Sequence, residues 1–598
     1  MEAASTVNVD HAETSACPSS VASDPDGDKK SGPATPHITC ATPSSATTAC
    51  VLLPHRSLGW AKSVSRLRAL ASALEEGLDA AVQALSTAMV DLQTVTDPSK
   101  LVVLLKIIRT ENDLPGDGRF LVGGADCVLA SVALLACECP RLFPNAPPSL
   151  LRQRSRDQVS LTPRQIACLL ANAFFGLCPW QPHGAKLRDH NGRLAFHRWY
   201  DDAMLAPKIR CLLHYFSATT SAGPRQPRAP VLFTRKQTPV GVGCDNRAPL
   251  QTLHLCTDGA ETGRIESCCR HRPASSDVGT GHSNASRCLQ VDFANKMIGG
   301  GVLGGGAAQE EIRFCVCPEL IVTIMLVEEM LDDEAVEVGP VQQFARYSGY
   351  GRSFQCAGPF VDPTPGALVV AMDAYFFPMD RQYSEELLRR EFRKALAGFS
   401  QCPPQQAIAC SPAAACSPTH ASASISTGRS PSSNSNDDSS ASPKLGKPVH
   451  AQSSTAGSTV PVAHIATGNW GCGVFGGDVQ LKALLQWAAA SSLGLTVQYF
   501  SMGHPMLEEL PDLVARTLRL LHGGGGTGAR DAGTVGWLFQ ILCDYDKVLR
   551  KHLQQQSDQM AVATDGLEVE PPSVFEFVRA RIEKEEQEQQ TRRTCSLQ

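Results

Sequence analysis

The stretch from Leu289 to Glu311, LQVDFANKMIGGGVLGGGAAQEE, holds the residues best suited to chemistry. An apolar run ends on Asp292 and Asn295, a loop with six glycines follows, and the loop closes on Gln309, Glu310 and Glu311. Glycines have no Cβ, so the N–H groups of such a loop can gather around an anion as a concave nest. Gly299, Gly300 and Gly301 are the first candidates to cradle a diphosphate. Two adjacent carboxylates beside the nest would repel a phosphate and are more useful against a neutral, reacting part of the same ligand. The combination suggests acid–base chemistry on the sugar end of a bound nucleotide diphosphate. Crowding of Asp292, Glu310 and Glu311 should raise the pKa of one of them and keep an acid protonated near neutrality.

A second glycine loop lies in ATGNWGCGVFGGDVQLKAL, Ala466 to Leu484. Gly299-x-Gly301-x-x-Gly304 and Gly471-x-Gly473-x-x-Gly476 both follow strand-like runs, so a Rossmann dinucleotide fold competes for this pattern. The first loop runs into an acidic pair instead of a clean helix start, and neither loop has a ribose-binding acid at the Rossmann offset. A Walker A loop is excluded because no Gly-Lys-Ser/Thr follows. Two loops flanking one sheet, both aimed at phosphate, favour a diphosphate-binding cleft over the Rossmann arrangement.

VDFAN, then GGG, then QEE at this spacing resembles the signature of the poly(ADP-ribose) glycohydrolase family. The block from Ala466 to Leu484 is similar to that family's other ligand loop. SLTPRQIACLLANAFF, Ser160 to Phe175, is similar to its helical region, and DGAETGRIE (Asp258 to Glu266) and YSGYG (Tyr347 to Gly351) extend the match in order from about Gln158 to Gly503. The resemblance implies an α/β, macrodomain-like mixed sheet flanked by helices and preceded by an all-α accessory region. It implies hydrolysis of the ribose–ribose bonds of poly(ADP-ribose) to release ADP-ribose, with no metal and no cofactor. A catalytically silent ADP-ribose-binding macrodomain is the alternative.

Cleaving such a bond passes through an oxocarbenium-like state, which needs an acid for the departing oxygen and negative charge beside the cation. By resemblance Glu311 is the general acid and then the base, with Glu310 and Asp292 as positioning partners. Ile265 and Glu266 are implied to hold the adenine, and Asn295 and Gln309 the reacting riboses. Tyr350 would close over the ligand, while Asn469, Trp470, Gly471, Cys472, Gly473 and Val474 would wrap the diphosphate and distal ribose. Phe475 would pack on the ribose. The chain departs from the family at Met502, where an aromatic platform for adenine is usual.

Composition narrows the partners. With 54 Lys and Arg against 59 Asp and Glu and a net charge of −5, the chain has no general basic surface for grasping duplex nucleic acid. Its 23 cysteines are scattered without paired C-x-x-C spacing, so ordinary thiols in a reducing compartment are expected. No apolar run has membrane-spanning length. Poly(ADP-ribose) and ADP-ribosylated proteins are the implied partners, a monomer is expected, and nuclear or cytoplasmic placement follows from the family alone.

Around this site the texture of the chain predicts four parts. Residues 1–54 are rich in Ser, Thr, Ala and Pro and should form a disordered tail. Residues 55–225 should be helical, with one long amphipathic helix from Val64 to Leu92 and another started by a capping box at Thr162 and Gln165. Residues 226–510 should form the catalytic α/β domain, with helices over Pro318 to Leu331, Glu385 to Ala397 and Val479 to Ala490, and insertions at 267–287 and 401–460. Residues 511–598 should return to helix and fray into a Glu/Gln/Arg-rich tail.

Overall fold

The short apolar runs between glycine turns assemble into one mixed sheet. The computed structural model of the chain describes residues 50–93, 95, 97–113, 127–179, 181, 194–220, 228–256, 264–268, 287–361, 366–376, 381–401, 408–409, 462–523, 531–562 and 570–596. Nearly all of the expected N-terminal tail and most of both expected insertions lie outside these residues, as does Asp258 to Gly263. In chain order the strands are β1 (Gln158–Leu161), β2 (Val231–Gln237), β3 (Leu253–Cys256), β4 (Arg287–Ala294), β5 (Glu334–Val341), β6 (Ala345–Ser348), β7 (Gln355–Pro359), β8 (Ala367–Asp373), β9 (Ile408–Ala409), β10 (Val462–Gly468) and β11 (Thr496–Phe500). Nine of them lie side by side in the order β3-β11-β10-β4-β8-β5-β2-β1-β9, and β6 and β7 form a separate hairpin.

The half from β3 to β8 is parallel throughout, while β8, β5, β2 and β1 alternate. Parallel strands release the chain at one edge. The C-terminal ends of β4, β8, β10 and β11 therefore open onto a common rim, which is where open α/β sheets bind ligands.

Both faces of the sheet are covered, and the period of two along each strand divides its side chains between two cores. On β8, Val369 and Ala371 enter one core and Leu368, Val370 and Met372 the other. On β4, Leu289 and Val291 enter the second core, which leaves Gln290 and Asp292 on the first face. The helices Trp60–Glu76, Leu78–Asp91, Val128–Cys137, Pro163–Phe174, Ala206–Thr220 and Gln309–Val316 share the first core. The helices Glu385–Phe399, Val479–Ser492, Leu510–Gly523, Val535–Val562 and Val574–Ser596 cover the second face.

Several local expectations change. The long helix expected from Val64 to Leu92 is two helices, because Gly77 takes a φ of 154° that ends the first and starts the second. The stripe is still buried on both, through Leu67, Leu70 and Leu74 and then Ala81, Leu85 and Met89. Instead of a helix from Pro318 to Leu331, the chain forms a 3₁₀ stretch Pro318–Val322 and a single turn Thr323–Leu326, then becomes extended at Val327, which bridges Leu151. The expected fraying tail is instead the helix Val574–Ser596, held by Val574, Phe575, Val578 and Ile582 in the second core and by Arg516 pairing with Glu583 and Glu586.

The capping box forms as the residue types dictate. Thr162 Oγ1 accepts the Gln165 N–H at 3.2 Å and Gln165 Oε1 accepts the Thr162 N–H at 2.9 Å, a device whose loss costs about 1 kcal/mol. Just before it, within the stretch expected to be helical, β1 pairs along β2 in the main sheet.

That shared sheet and core generate a test. A chain beginning at Val231 lacks β1 and every helix up to Thr220, so it exposes the apolar face of β2, β5 and β8. It should elute from size exclusion as aggregate; a soluble, monomeric and fully active product would show that the two parts are independent.

Candidate active site

The helix Gln309–Val316 begins where the first glycine loop ends, and its first turn holds the acid pair. Unpaired N–H groups at a helix start favour negative charge. Gln309 pins the helix to β4, since its Oε1 accepts the Phe293 N–H at 2.8 Å and its Nε2 donates to the Val291 carbonyl at 3.1 Å. Glu310 takes the Gly299 N–H at 2.6 Å on one oxygen and the Asn295 N–H at 2.9 Å on the other. Glu311 takes the Gly301 N–H and the Ala308 N–H, each at 2.8 Å. The loop is wrapped around its own two carboxyl groups.

Gly300 makes this wrapping possible. It has a φ of +46°, and a Cβ there would lie 2.6 Å from both Glu310 Oε2 and Glu311 Oε1. The loop is also held from behind by the helical region. Lys208 Nζ donates to the carbonyls of Val302 and Gly304 at 2.8 and 2.6 Å, and Trp199 Nε1 donates to Val302 at 3.0 Å.

Asp292 lies beneath the pair, wholly buried, and neither of its carboxyl oxygens has a hydrogen-bond partner among the described residues. Burial pushes its pKa up to about 8; Arg313 opposes the shift, and Glu311 and Glu266 add to it. Burial, then the nearby Asp292 and Glu311, likewise push Glu310 well above the usual carboxylate range, against the two N–H groups it accepts. Glu311 is the more exposed of the pair, 9% against 4%. Tyr350 is exposed, and its hairpin is tied to the loop by the Gly351 N–H donating to the Ala307 carbonyl at 2.9 Å.

The second loop leaves β10, the strand next to β4. Asn469 anchors it to β11, donating to the Ser501 carbonyl at 2.9 Å and accepting from the Tyr499 hydroxyl at 3.2 Å. Gly471 needs its φ of +75°, and a Cβ there would come within 2.4 Å of Ala374 Cβ. Cys472 is largely covered, Gly473 faces open space, and Val474 is exposed. Asp478 then caps the helix Val479–Ser492 through the Leu481 N–H at 2.8 Å, leaving a helix start beside the loop as at the acid pair. Phe475 meets Phe376, from the end of β8, edge to face at 6.0 Å between ring centroids.

The sequence profile described as poly(ADP-ribose) glycohydrolase helical domain matches residues 126–235, and the macro domain fold profile of the same family matches residues 275–509. The chain is 30% identical over 433 residues to poly(ADP-ribose) glycohydrolase 1 of Arabidopsis thaliana, covering 66% of this chain and 71% of that protein. It is 31% identical over 432 residues to the probable poly(ADP-ribose) glycohydrolase 2 of the same plant, covering 66% and 70%. The chain belongs to the poly(ADP-ribose) glycohydrolase family. A Caenorhabditis elegans relative, poly(ADP-ribose) glycohydrolase 1, is 30% identical over 239 residues, covering 37% of this chain and 24% of that protein. Both glycine loops and the acid pair fall in the macro domain match, and Trp199 and Lys208 in the helical one.

In this family member the structure gathers Asp292, Asn295, Gly299, Gly300, Gly301, Gln309, Glu310, Glu311 and Tyr350 around one loop. Ile265 and Glu266 lie on the turn Ile265–Ser267, which packs on β4 and β10. Trp470 differs in kind from its neighbours: its ring is wholly buried, its Nε1 donates to the Met372 carbonyl at 3.0 Å, and Lys482 Nζ stands 4.0 Å from its centroid. It supports the second loop from beneath. Met502 is exposed with a φ of 54°.

Sequence reasoning passed over Arg313, which is buried, bonds Gln290 Oε1 at 2.5 Å and pairs with Glu266 at 3.7 Å. Its position three after Glu310 was the available signal, since that spacing puts both on one helix face toward β4. Lys208, Trp199 and Phe376 gave no local signal.

Asp292 makes stability depend on pH. Its carboxyl titrates near 3.8 in the unfolded chain and near 8 in the folded one, so the folded state holds the extra proton between those values and stability falls as pH rises through that window. Asp292→Asn carries a neutral group at every pH. In urea unfolding it should gain on the wild type by on the order of a few kcal/mol between about pH 4 and pH 8, with no further gain above about pH 9.

Proposed function

We propose that this chain hydrolyses the 1''→2' ribose–ribose bonds of poly(ADP-ribose) and releases ADP-ribose. The observation that carries the reading is the paired capture of Glu310 and Glu311 by the glycine loop, which presents Glu311 at a rim shared with a second glycine loop. The two loops and two helix starts suit a diphosphate. A sugar reaching from that diphosphate toward Tyr350 would meet Glu311 first.

In the proposed reaction Glu311 gives a proton to the departing 2' oxygen as the glycosidic bond breaks. The oxocarbenium-like sugar is steadied by the carboxyl cluster, and Glu311 then takes a proton from the attacking water. Glu310 positions the loop, and Asp292 supplies a buried proton-holding group beneath the pair. Asn295 and Gln309 would lie along the riboses, Ile265 and Glu266 along the adenine, and Asn469 to Phe475 along the diphosphate and distal ribose. ADP-ribosylated proteins are the proposed partners of a monomeric enzyme, acting in the nucleus or cytoplasm in the response to DNA damage. Among the described residues no helix is long and apolar enough to cross a membrane.

The direct test is incubation with labelled poly(ADP-ribose) and identification of the small product, which should be ADP-ribose. Binding without release would leave an ADP-ribose-binding protein. Glu311→Gln keeps the shape and one of the two accepted N–H bonds but cannot move a proton. Its turnover should fall by ~10⁴-fold or more, while calorimetry shows ADP-ribose binding intact; loss of both would make Glu311 structural, and retained turnover would move the acid to Glu310 or Asp292.

Met502 offers a second measurement. Its side chain is exposed at the end of β11, so Met502→Phe places a ring at the rim without disturbing the core. ADP-ribose affinity should rise by ~1–3 kcal/mol, the range of base–aromatic stacking. Unchanged affinity would place the adenine elsewhere.

A further inference from the structure

Beside the turn that carries Ile265 and Glu266, two thiols meet. Cys268 follows that turn and Cys288 lies near the start of β4, and their Sγ atoms are 3.1 Å apart. Cys288 belongs to a small apolar cluster with Ile265, Ala466 and Phe500, separate from the two large cores, and Cys268 packs against it. A disulfide has its sulfurs about 2.0 Å apart, so an approach of about 1 Å by side-chain rotation would join them.

The surroundings favour reaction at Cys268. Gln290 Nε2 donates to Cys268 Sγ at 3.3 Å, and the other end of the same amide accepts from Arg313 at 2.5 Å. The cation polarises the amide toward the sulfur, and an N–H donor stabilises a thiolate over a thiol. Cys268 is only partly covered, so a small oxidant can reach it, whereas Cys288 is buried behind it.

We propose that Cys268 and Cys288 form an oxidative modification site, closed to a disulfide by hydrogen peroxide, that clamps the Ile265–Glu266 turn onto β4. The Cys268 thiolate attacks one peroxide oxygen, the O–O bond breaks, and the departing oxygen leaves as water, giving a sulfenic acid. The Cys288 thiol then attacks that sulfur, loses its proton and expels the second oxygen as water. Two thiols are oxidised and one hydrogen peroxide is reduced to two waters.

The consequence for ligand binding rests on the reading that Ile265 and Glu266 hold the base. The disulfide closes the chain between residues 268 and 288 and ties the turn to a central strand. Freedom that the base would otherwise have to remove on binding is then removed beforehand, which strengthens binding.

The test uses the full chain treated with hydrogen peroxide, alkylated and mapped by mass spectrometry, followed by calorimetry with ADP-ribose. A Cys268–Cys288 peptide should appear, and the ADP-ribose Kd should fall by about three- to tenfold and return with dithiothreitol. Cys268→Ser and Cys288→Ser should each abolish the response to peroxide. The inference is overturned if no such peptide forms, or if affinity stays unchanged or weakens with the disulfide in place. Because the crosslink is read without ligand, a disulfide in a protein that never binds ADP-ribose would overturn the reading of the cleft and leave the modification site standing.

Discussion

Four backbone N–H groups donated to two adjacent carboxyl groups hold this site together. Glu310 and Glu311 are nearly buried, and carboxyl groups removed from water cost free energy unless hydrogen bonds replace the solvent. The glycine loop supplies those bonds from Asn295, Gly299, Gly301 and Ala308. Side chains on the loop would block the approach, most plainly at Gly300. The loop's composition, the start of the helix and the chemistry of the pair are thus consequences of one arrangement.

The same arrangement explains why the helical region is part of the site. A loop so rich in glycine has a large conformational entropy to lose, and its own hydrogen bonds to the acid pair cover only part of its backbone. Lys208 and Trp199 take up the carbonyls of Val302 and Gly304 on the far side. The loop is therefore held between carboxyl acceptors in front and cationic or indole donors behind. Arg313 plays a comparable part by joining Gln290 of β4, the strand that carries Asp292, to Glu266.

Much of the chemistry could be read from residue types because it is local. The acid pair, the glycine loops and the Thr162 capping box each lie within a few residues, and the sheet's runs alternate as strands must. What escaped depends on partners distant in the chain. Gln290 and Arg313 are 23 residues apart and Lys208 and Val302 are 94 apart; no local pattern announces either pair. Trp470 shows the converse problem, since a tryptophan in a ligand-like loop has the same letters whether it faces the ligand or the core. Gly77 had a signal that the apolar stripe outweighed, because the stripe continues in phase across the break. The C-terminal helix looked too polar to stay ordered, yet four apolar residues at its start and the ion pairs of Arg516 hold it.

The covering of the two sheet faces comes from opposite ends of the chain. Helices from residues 60–220 share the core beneath the acid pair, while the face behind the second loop is closed in part by Val574, Phe575, Val578 and Ile582, and the Phe575 N–H donates to Gln480 at 3.0 Å. A nascent chain on the ribosome therefore has its acid loop buttressed long before the helix behind the second loop finds its last neighbour. A chain interrupted before residue 574 would leave that part of the second core uncovered and expose apolar surface.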